Sequence, residues 1–196
     1  MINLIKKEIE NYSKKILVSG VFHGDEFQGE YFINQYLKND KIPSKNSVYY
    51  IPRLNKNNKR KNPNGVDLNR NFPTKNWTKS ENDDYYGGEA PNSESETKFI
   101  VDLINKNHFD AIITIHSPYK TVNYDGPAQK LAEKISEFLG YPTSNDIGYP
   151  TPGSFGTYCG KERNIPTLTI EIDENENIEK LNQKFEKVFK YLENEY

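Results

Sequence analysis

Four short apolar runs alternate along the chain with segments whose apolar positions have helical spacing. The runs lie at residues 16–22, 47–52, 110–116 and 166–172. Each predicts a buried strand. Helical spacing or helix-end signals occur at residues 26–37, 93–107, 126–140 and 178–193. Strands that alternate with helices predict an α/β fold, with a three-layer α/β/α arrangement around a mixed, largely parallel sheet.

Two of the predicted helices carry local signals at their ends. Ser93 and Glu96 have the spacing of a capping box, and Gly140 is placed to end the third helix. The stretch 53–92 before the second helix is rich in Asn, Pro, Gly and charge. A loop of that length within a compact domain is usually functional or disordered.

Length and composition narrow the class of protein. The 196 residues suit a single domain over 1–196, and the 13% aromatic content favours a folded chain despite only 34% hydrophobic residues. A net charge of -2 argues against a nucleic-acid partner. One cysteine, Cys159, excludes an intrachain disulfide framework and a cysteine zinc cluster. Without a signal-peptide pattern or a membrane-length apolar run, we expect a cytoplasmic protein without a membrane partner.

Two histidines lie where predicted strands end. His23 follows the first strand, and His116 closes the strand at 110–116. Glu26 comes three residues after His23, so a turn between them can aim an imidazole and a carboxylate at one point. A second histidine completes a set of two histidines and one glutamate, which is a known open zinc site. An isolated His-x-x-Glu is more often a tight turn and helix cap, and that alternative stays open.

Two polar segments of the long stretch carry further candidates. In the segment 62–73, Asp67 or Asn69 can hold a loop through side-chain bonds to the backbone, whereas the planar fork of Arg70 suits a carboxylate. The segment 53–61 holds five basic residues in nine. It is either a solvated face or a small nucleic-acid patch, and the overall charge balance opposes the patch.

Glu171 lies near the end of the last predicted strand, at residues 166–172. Alternation places Thr169 and Glu171 on the face opposite Leu168, Ile170 and Ile172. A carboxylate at the end of a central strand is either solvated or part of a site. The acidic run that follows it favours solvation when it is considered alone.

In chain order, these motifs read HGDE, NGVDLNRNFP, TIHSP and PGSFGTYCGKERNIPTLTIEI. This order resembles the M14 zinc carboxypeptidase family, and most of all its murein peptide amidase branch. The resemblance covers residues 16–172. It implies a minimal version of the zinc-carboxypeptidase fold, because an N-terminal strand region found in many members is nearly absent.

The resemblance implies a catalytic centre with one zinc ion per chain. His23, Glu26 and His116 match the three metal ligands of the family. Glu171 matches the glutamate that serves as general base toward the attacking water.

The resemblance also implies how a substrate is held. Asn69 and Arg70 match the pair that binds the terminal carboxylate, and Arg60 falls where the branch has the arginine facing the scissile carbonyl. Phe155 falls where the family lines its side-chain pocket, and Tyr149 aligns loosely with its mobile tyrosine.

One departure from the family pattern concerns Arg53. The segment 51–54 reads Ile-Pro-Arg-Leu, where Asn-Pro-Asp-Gly is usual. The local loop therefore differs, and Arg53 is an extra cation near the predicted pocket. We expect it to meet a second carboxylate of the substrate.

The implied activity is zinc-dependent hydrolysis of a peptide amide beside a free carboxylate. The branch points to the γ-D-glutamyl–meso-diaminopimelate bond of a murein peptide, as in peptidoglycan recycling. An ordinary metallocarboxypeptidase, an N-acyl amino acid deacylase and a non-catalytic peptide-binding module are the alternatives. The sequence does not predict the oligomeric state.

Overall fold

The fold is built on one seven-stranded sheet, as seen in a computed structural model that describes residues 2–39, 44–81 and 83–196. The strands are β1 (Ile5–Lys7), β2 (Lys15–Gly20), β3 (Ser47–Ile51), β4 (Ala111–His116), β5 (Thr121–Asp125), β6 (Thr143–Ser144) and β7 (Thr167–Glu171). They are ordered β1-β3-β2-β4-β7-β5-β6. The four central strands β3, β2, β4 and β7 are parallel, whereas β1 and β5 pair antiparallel with their inner neighbours. The predicted mixed, largely parallel sheet is confirmed.

Helices cover both faces of this sheet. They are α1 (Gln28–Asn39), α2 (Ser95–Lys106), α3 (Gln129–Leu139) and α4 (Ile178–Asn194). Alternate residues of β2 explain the two layers, because Ile16 and Val18 pack with α1, α3 and α4, whereas Leu17 packs with α2. Phe32 and Phe185 stack with ring centroids 4.4 Å apart between α1 and α4. Burying one such side chain stabilises the fold by about 1.5–3 kcal/mol.

The first predicted strand, at residues 16–22, ends in the structure at Gly20, two residues earlier than the apolar run. Val21, which follows Gly20, has a φ of 53° in the left-handed region, which a β-branched residue rarely adopts. A Cβ on Gly20 would lie 2.7 Å from the carbonyl oxygen of Pro52, so this close approach requires glycine. The chain therefore leaves the sheet sharply just before His23.

The predicted capping box is wrong, while the predicted helix end at Gly140 is confirmed. Helix α2 is capped at Glu94, whose side chain makes no capping bond. The Glu94 carboxylate instead accepts hydrogen bonds from Asn62 and Asn64 and so ties the long loop to the helix. Gly140 has a φ of 75° and ends α3 in the left-handed conformation.

The stretch 53–92 is a long connection, as predicted, although residue 82 lies outside the described residues. Its described part contains one short 3-10 helix, Leu68–Arg70. The Asn71 amide nitrogen donates to the carbonyl oxygens of Gly87 and Ala90, which folds the loop back on itself. Side-chain bonds of this kind replace strand pairing here.

Several short elements carry no clear apolar pattern. The strand β1 has three residues, and β5 and β6 are short and polar. The segment Thr157–Lys161 is a π-helix. Among the residues that the structure describes, no helix combines the length and the apolar character that a membrane span requires.

Candidate metal centre and active site

Three side chains converge at the carboxyl edge of the central sheet. His116 ends β4, and the neighbouring strand β2 leads into the turn that carries His23 and Glu26. The potential ligand atoms of these three residues lie within 4.8 Å of one another. The carboxyl ends of parallel strands meet at one edge, which explains why residues so far apart in the sequence come together.

The Glu26 carboxylate lies between the two imidazoles. Its Oε1 is 2.7 Å from His23 Nδ1, and its Oε2 is 2.9 Å from His116 Nδ1. Burial alone would raise the pKa of Glu26, but hydrogen bonds with His116 and His23 lower it to about 2. Two imidazole nitrogens and one carboxylate facing a shared space fit an open zinc site with two histidine ligands and one glutamate ligand.

Asp67 supports this cluster from behind. Its Oδ1 lies 3.0 Å from His23 Nε2, and its Oδ2 accepts a hydrogen bond from Arg60 at 2.9 Å. The same carboxylate accepts the Asn69 backbone N–H and caps the 3-10 helix. Burial would lower the pKa of His23, yet hydrogen bonds with Asp67 and Glu26 raise it to about 9. Asp67 therefore orients the His23 ring so that Nδ1 faces Glu26.

Glu171 lies beside the cluster at the end of β7. It pairs in register with His116, and only 5% of its surface is exposed. Its Oε2 has no hydrogen-bond partner among the described residues. Burial and the negative charge of Glu26 raise the pKa of Glu171 to about 8. The solvated alternative suggested by the acidic run is therefore wrong for this residue.

Asn69 and Arg70 lie in the 3-10 helix and face the same cavity. The Asn69 Oδ1 accepts the Phe155 backbone N–H at 2.9 Å, which fixes the amide plane. The Arg70 Nη1 donates to the Asn69 carbonyl oxygen at 2.8 Å, and the residue is 6% exposed. A nearly buried guanidinium facing a cavity suits an anionic ligand.

These residues line a common cavity of about 250 Å³. Eight of the residues predicted from the sequence line it: His23, Glu26, Arg60, Asn69, Arg70, His116, Tyr149 and Glu171. Arg60 Nη1 is 4.0 Å from Glu26 Oε1, so this guanidinium also lies beside the His–Glu–His cluster. Tyr149 is 39% exposed at the cavity wall, and burial together with Tyr119 raises its pKa to about 12.

Arg53 is not part of the cavity lining. Its Nε donates to Glu30 at 2.6 Å, and its Nη1 donates to the carbonyl oxygens of Asn55 and Asn57. With these partners, the guanidinium holds the loop after β3 against the start of α1. The structure thus does not bring Arg53 to the place where it was expected to meet a substrate carboxylate.

Phe155 also differs from expectation. Its ring is 2% exposed and lies 5.1 Å from the Phe22 ring and 4.8 Å from the Phe72 ring, measured between centroids. The side chain therefore belongs to the core beneath the cavity. Its neighbours Ser154 and Gly156 line the cavity in its place.

The structure also brings residues to the cavity that sequence reasoning missed. Tyr85 lies with its ring centroid 5.3 Å from Arg60 Cζ and 5.5 Å from Arg70 Cζ. Asp125 and Asn123 reach the cavity from β5. Tyr85 lies in an irregular loop and β5 is short and polar, so no periodic signal marked them.

Together, the fold and the site define the class of metal-dependent hydrolases. A set of two histidines and one glutamate binds a metal ion and leaves a position open, and a buried carboxylate can move a proton when one of its oxygens has no hydrogen-bond partner among the described residues. Comparison with known proteins narrows this class. The family model described as zinc carboxypeptidase matches residues 35–146, which is more than half of the chain.

Two relatives of known name support the assignment to this family. Murein peptide amidase A of Vibrio campbellii is 32% identical over 188 residues, which cover 84% of this chain and 71% of the relative. Murein peptide amidase A of Escherichia coli K12 is 33% identical over 124 residues, which cover 57% of this chain and 50% of that protein. The chain therefore belongs to the zinc carboxypeptidase family, and it is a peptidase of that family.

Solved structures show the same fold. The murein-tripeptide amidase of Escherichia coli O157 has a TM-score of 0.77 at 24% identity, over 95% of this chain and 84% of that one. Carboxypeptidase A from Helicoverpa armigera has a TM-score of 0.76 at 17% identity, over 94% of this chain and 62% of that one. At these identities, the likeness establishes the architecture alone.

Proposed function

We propose that this chain is a zinc-dependent amidase that hydrolyses a peptide-type amide beside a free carboxylate. Its preferred substrate is a murein peptide, cut at the γ-D-glutamyl–meso-diaminopimelate bond. The observation that carries the proposal is the Oε2 of Glu171, which has no hydrogen-bond partner in the described part of the chain. It lies beside the His23–Glu26–His116 cluster, in a cavity that also holds two arginines. The murein peptide amidases among the relatives support the choice of substrate.

One zinc ion per chain is held in this proposal by His23, Glu26 and His116. When bound, zinc supplies Lewis acidity that activates water and polarises a carbonyl group. Asp67 holds His23 from behind through the bond between Oδ1 and Nε2. Hydrogen bonds of this type fix ring orientation and are commonly worth about 10- to 100-fold in metal affinity.

Glu171 moves the protons of the reaction. Its Oε2 takes a proton from the attacking water and then delivers it to the nitrogen of the leaving amine. The backbone N–H of Tyr119 favours the charged form of the same carboxylate and lowers its pKa, against the larger effect of burial. A positioned general base typically contributes about 10²–10⁴-fold to the rate.

Three polar side chains bind and orient the substrate. The Arg70 guanidinium and the Asn69 amide take the free carboxylate next to the scissile bond, which converts binding energy into orientation. Arg60 faces the scissile carbonyl and stabilises the negative charge that develops on its oxygen. The carboxylate of Asp67 holds Arg60 at 2.9 Å and so presets its position.

Hydrolysis of L-Ala-γ-D-Glu-meso-diaminopimelate, followed by mass spectrometry, tests the proposal. We expect free diaminopimelate from zinc-loaded protein and none after chelation. The Glu171→Gln variant is the matched control for a contaminating hydrolase. Cleavage of all-L peptides in preference to this tripeptide would identify an ordinary carboxypeptidase. No cleavage of any amide by protein that holds stoichiometric zinc would contradict the amidase assignment.

A further inference from the structure

The cavity extends from Glu171 along the paired strands β5 and β7. In their antiparallel register, Thr121 lies opposite Glu171, and Asn123 lies opposite Thr169. Directly opposed residues share one face of a sheet, and every second residue of a strand returns to that face. Asn123, Thr169 and Asp125 therefore lie on the same face as Glu171, and all of them line the cavity.

Asp125 lies at the far end of this row. It is four residues beyond Thr121 on β5, which corresponds to about 13 Å along the strand at about 3.3 Å per residue. That separation is long enough to accommodate an extended amino-acid side chain of several carbons. The row thus connects the proposed proton-transfer residue, Glu171, with a second carboxylate.

Gly156 and Gly160 leave the space that the Asp125 side chain occupies. A Cβ on Gly156 would lie 2.1 Å from Asp125 Oδ2, and a Cβ on Gly160 would lie 2.4 Å from Asp125 Cβ. Any other residue at these positions would displace the carboxylate or cover it. Because Gly156 itself lines the cavity, its missing side chain leaves room beside Oδ2.

The far end of the cavity presents hydrogen-bond acceptors. The Asn123 amide nitrogen donates one of its two N–H groups to the Ser144 carbonyl oxygen, and its amide oxygen can accept a hydrogen bond. Thr169 Oγ1 accepts from Thr114 Oγ1. Asp125 Oδ1 lies 3.3 Å from Lys161 Nζ, but this lysine is 57% exposed and does not line the cavity. Oδ2 has no ion-pair partner among the described residues.

We infer that Asp125 selects substrates in which the leaving residue has a side chain ending in an ammonium group. This inference rests on the proposed function, because Arg70 and Glu171 must first fix the residue whose side chain then extends toward Asp125. An ammonium group has three donors and no acceptor, so it complements a carboxylate, an amide oxygen and a hydroxyl. Burial raises the pKa of Asp125, as it does for an acid that lacks sufficient counter-charge.

The inference deepens the choice of substrate. The diaminopimelate side chain carries a distal ammonium group next to a distal carboxylate, the lysine side chain carries the ammonium group alone, and norleucine has an uncharged side chain of similar length. The three tripeptides L-Ala-γ-D-Glu-X, in which X is one of these residues, have the same scissile bond and differ at the end of the side chain of X. Differences in their cleavage therefore report on recognition of that end. For the wild-type protein, we expect kcat/KM to be about 10- to 100-fold higher for diaminopimelate and lysine than for norleucine.

Two variants identify Asp125 as the origin of this preference. In Asp125→Asn, which keeps the size of the side chain, the ratio of kcat/KM for lysine to that for norleucine should fall to near one. In Lys161→Met, which removes the outer partner of Asp125, the preference should be kept or increased. A ratio that survives in Asp125→Asn, or that is lost in Lys161→Met, would overturn the inference.

The outcomes separate this inference from the proposed function. Equal cleavage of all three tripeptides by the wild-type protein would leave the amidase standing and refute the role of Asp125. If no tripeptide is cleaved, the proposed function fails, and calorimetry with free L-lysine and L-norleucine still tests the pocket. Tighter binding of lysine than of norleucine by the zinc-loaded wild-type protein supports the inference, and equal binding contradicts it.

Discussion

Glu171 lies directly opposite His116 in the parallel pairing of β7 with β4. The two side chains emerge at one edge of the sheet, and the backbone N–H of Ile172 donates to the His116 carbonyl oxygen at 2.8 Å just beyond them. A proposed base and a proposed metal ligand are thus held by adjacent central strands rather than by loops. Sites built on such elements are positioned more precisely than sites built on loops.

Glu171→Gln separates proton transfer from metal binding. The amide keeps the size of the side chain but cannot take a proton, so we expect kcat to fall by about 10²–10⁴-fold. Zinc content should stay stoichiometric, because Glu171 is not among the three clustered ligands. Steady-state kinetics and elemental analysis check both parts. Full activity of this variant would show that another group is the base.

His116→Ala should lose zinc and activity together. The variant removes one of the three ligand atoms that lie within 4.8 Å of one another. His108→Ala is the matched control, since His108 is an exposed histidine away from the cluster. We expect the control to keep stoichiometric zinc after dialysis. If His116→Ala retained zinc as His108→Ala does, the proposed donor set would be wrong.

Asp67→Asn probes the support behind His23. The neutral amide weakens the bonds to His23 Nε2 and Arg60 while keeping the shape of the side chain. We expect zinc affinity to fall by about 10- to 100-fold. Competition with a chelator of known affinity measures this change. An unaltered zinc affinity would mean that the 3-10 helix, rather than the carboxylate, positions the ring.

Tyr85 bridges the two arginines of the cavity, and its substitution should act on substrate binding. Tyr85→Leu removes the ring that lies within 5.5 Å of both guanidinium carbons. We expect KM to rise by about 2- to 5-fold with little change in kcat, because cation–π contacts at exposed sites are weak. Tyr85→Phe keeps the ring and should restore the wild-type KM. A loss confined to kcat would contradict a positioning role.

The sequence predicts the parts of the site that lie on regular elements. Apolar runs locate β4 and β7, so the positions of His116 and Glu171 at strand ends follow from pattern alone. The direction of Phe155 does not, because this residue lies in the helical turn that leads into the π-helix, where strand alternation does not apply. Asp125 could not be predicted for another reason. The strand β5 is polar on the cavity face, and the burial of β5 depends on pairing with β7, a strand distant in the sequence.

The buried carboxyl group of Glu171 should also make the stability of the metal-free protein depend on pH. Its folded-state pKa of about 8 lies above its ordinary value of 4.5. The folded protein therefore holds a proton that the unfolded chain releases over this range, and stability falls as pH rises through it. Glu171→Gln removes this contribution, so the variant should gain stability relative to the wild type between about pH 5 and pH 8, a window set by that shift.

Thermal unfolding of chelated wild-type and Glu171→Gln proteins at the two ends of this range measures the effect. Glu174→Gln, which changes an exposed carboxylate three residues away, controls for the loss of one acidic group. We expect the difference in Tm between Glu171→Gln and the wild type to grow as pH rises, and the Glu174→Gln difference to stay constant. Because every other titrating group is common to the proteins compared, a pH-independent difference for Glu171→Gln would mean that the acid titrates alike in the folded and unfolded chains.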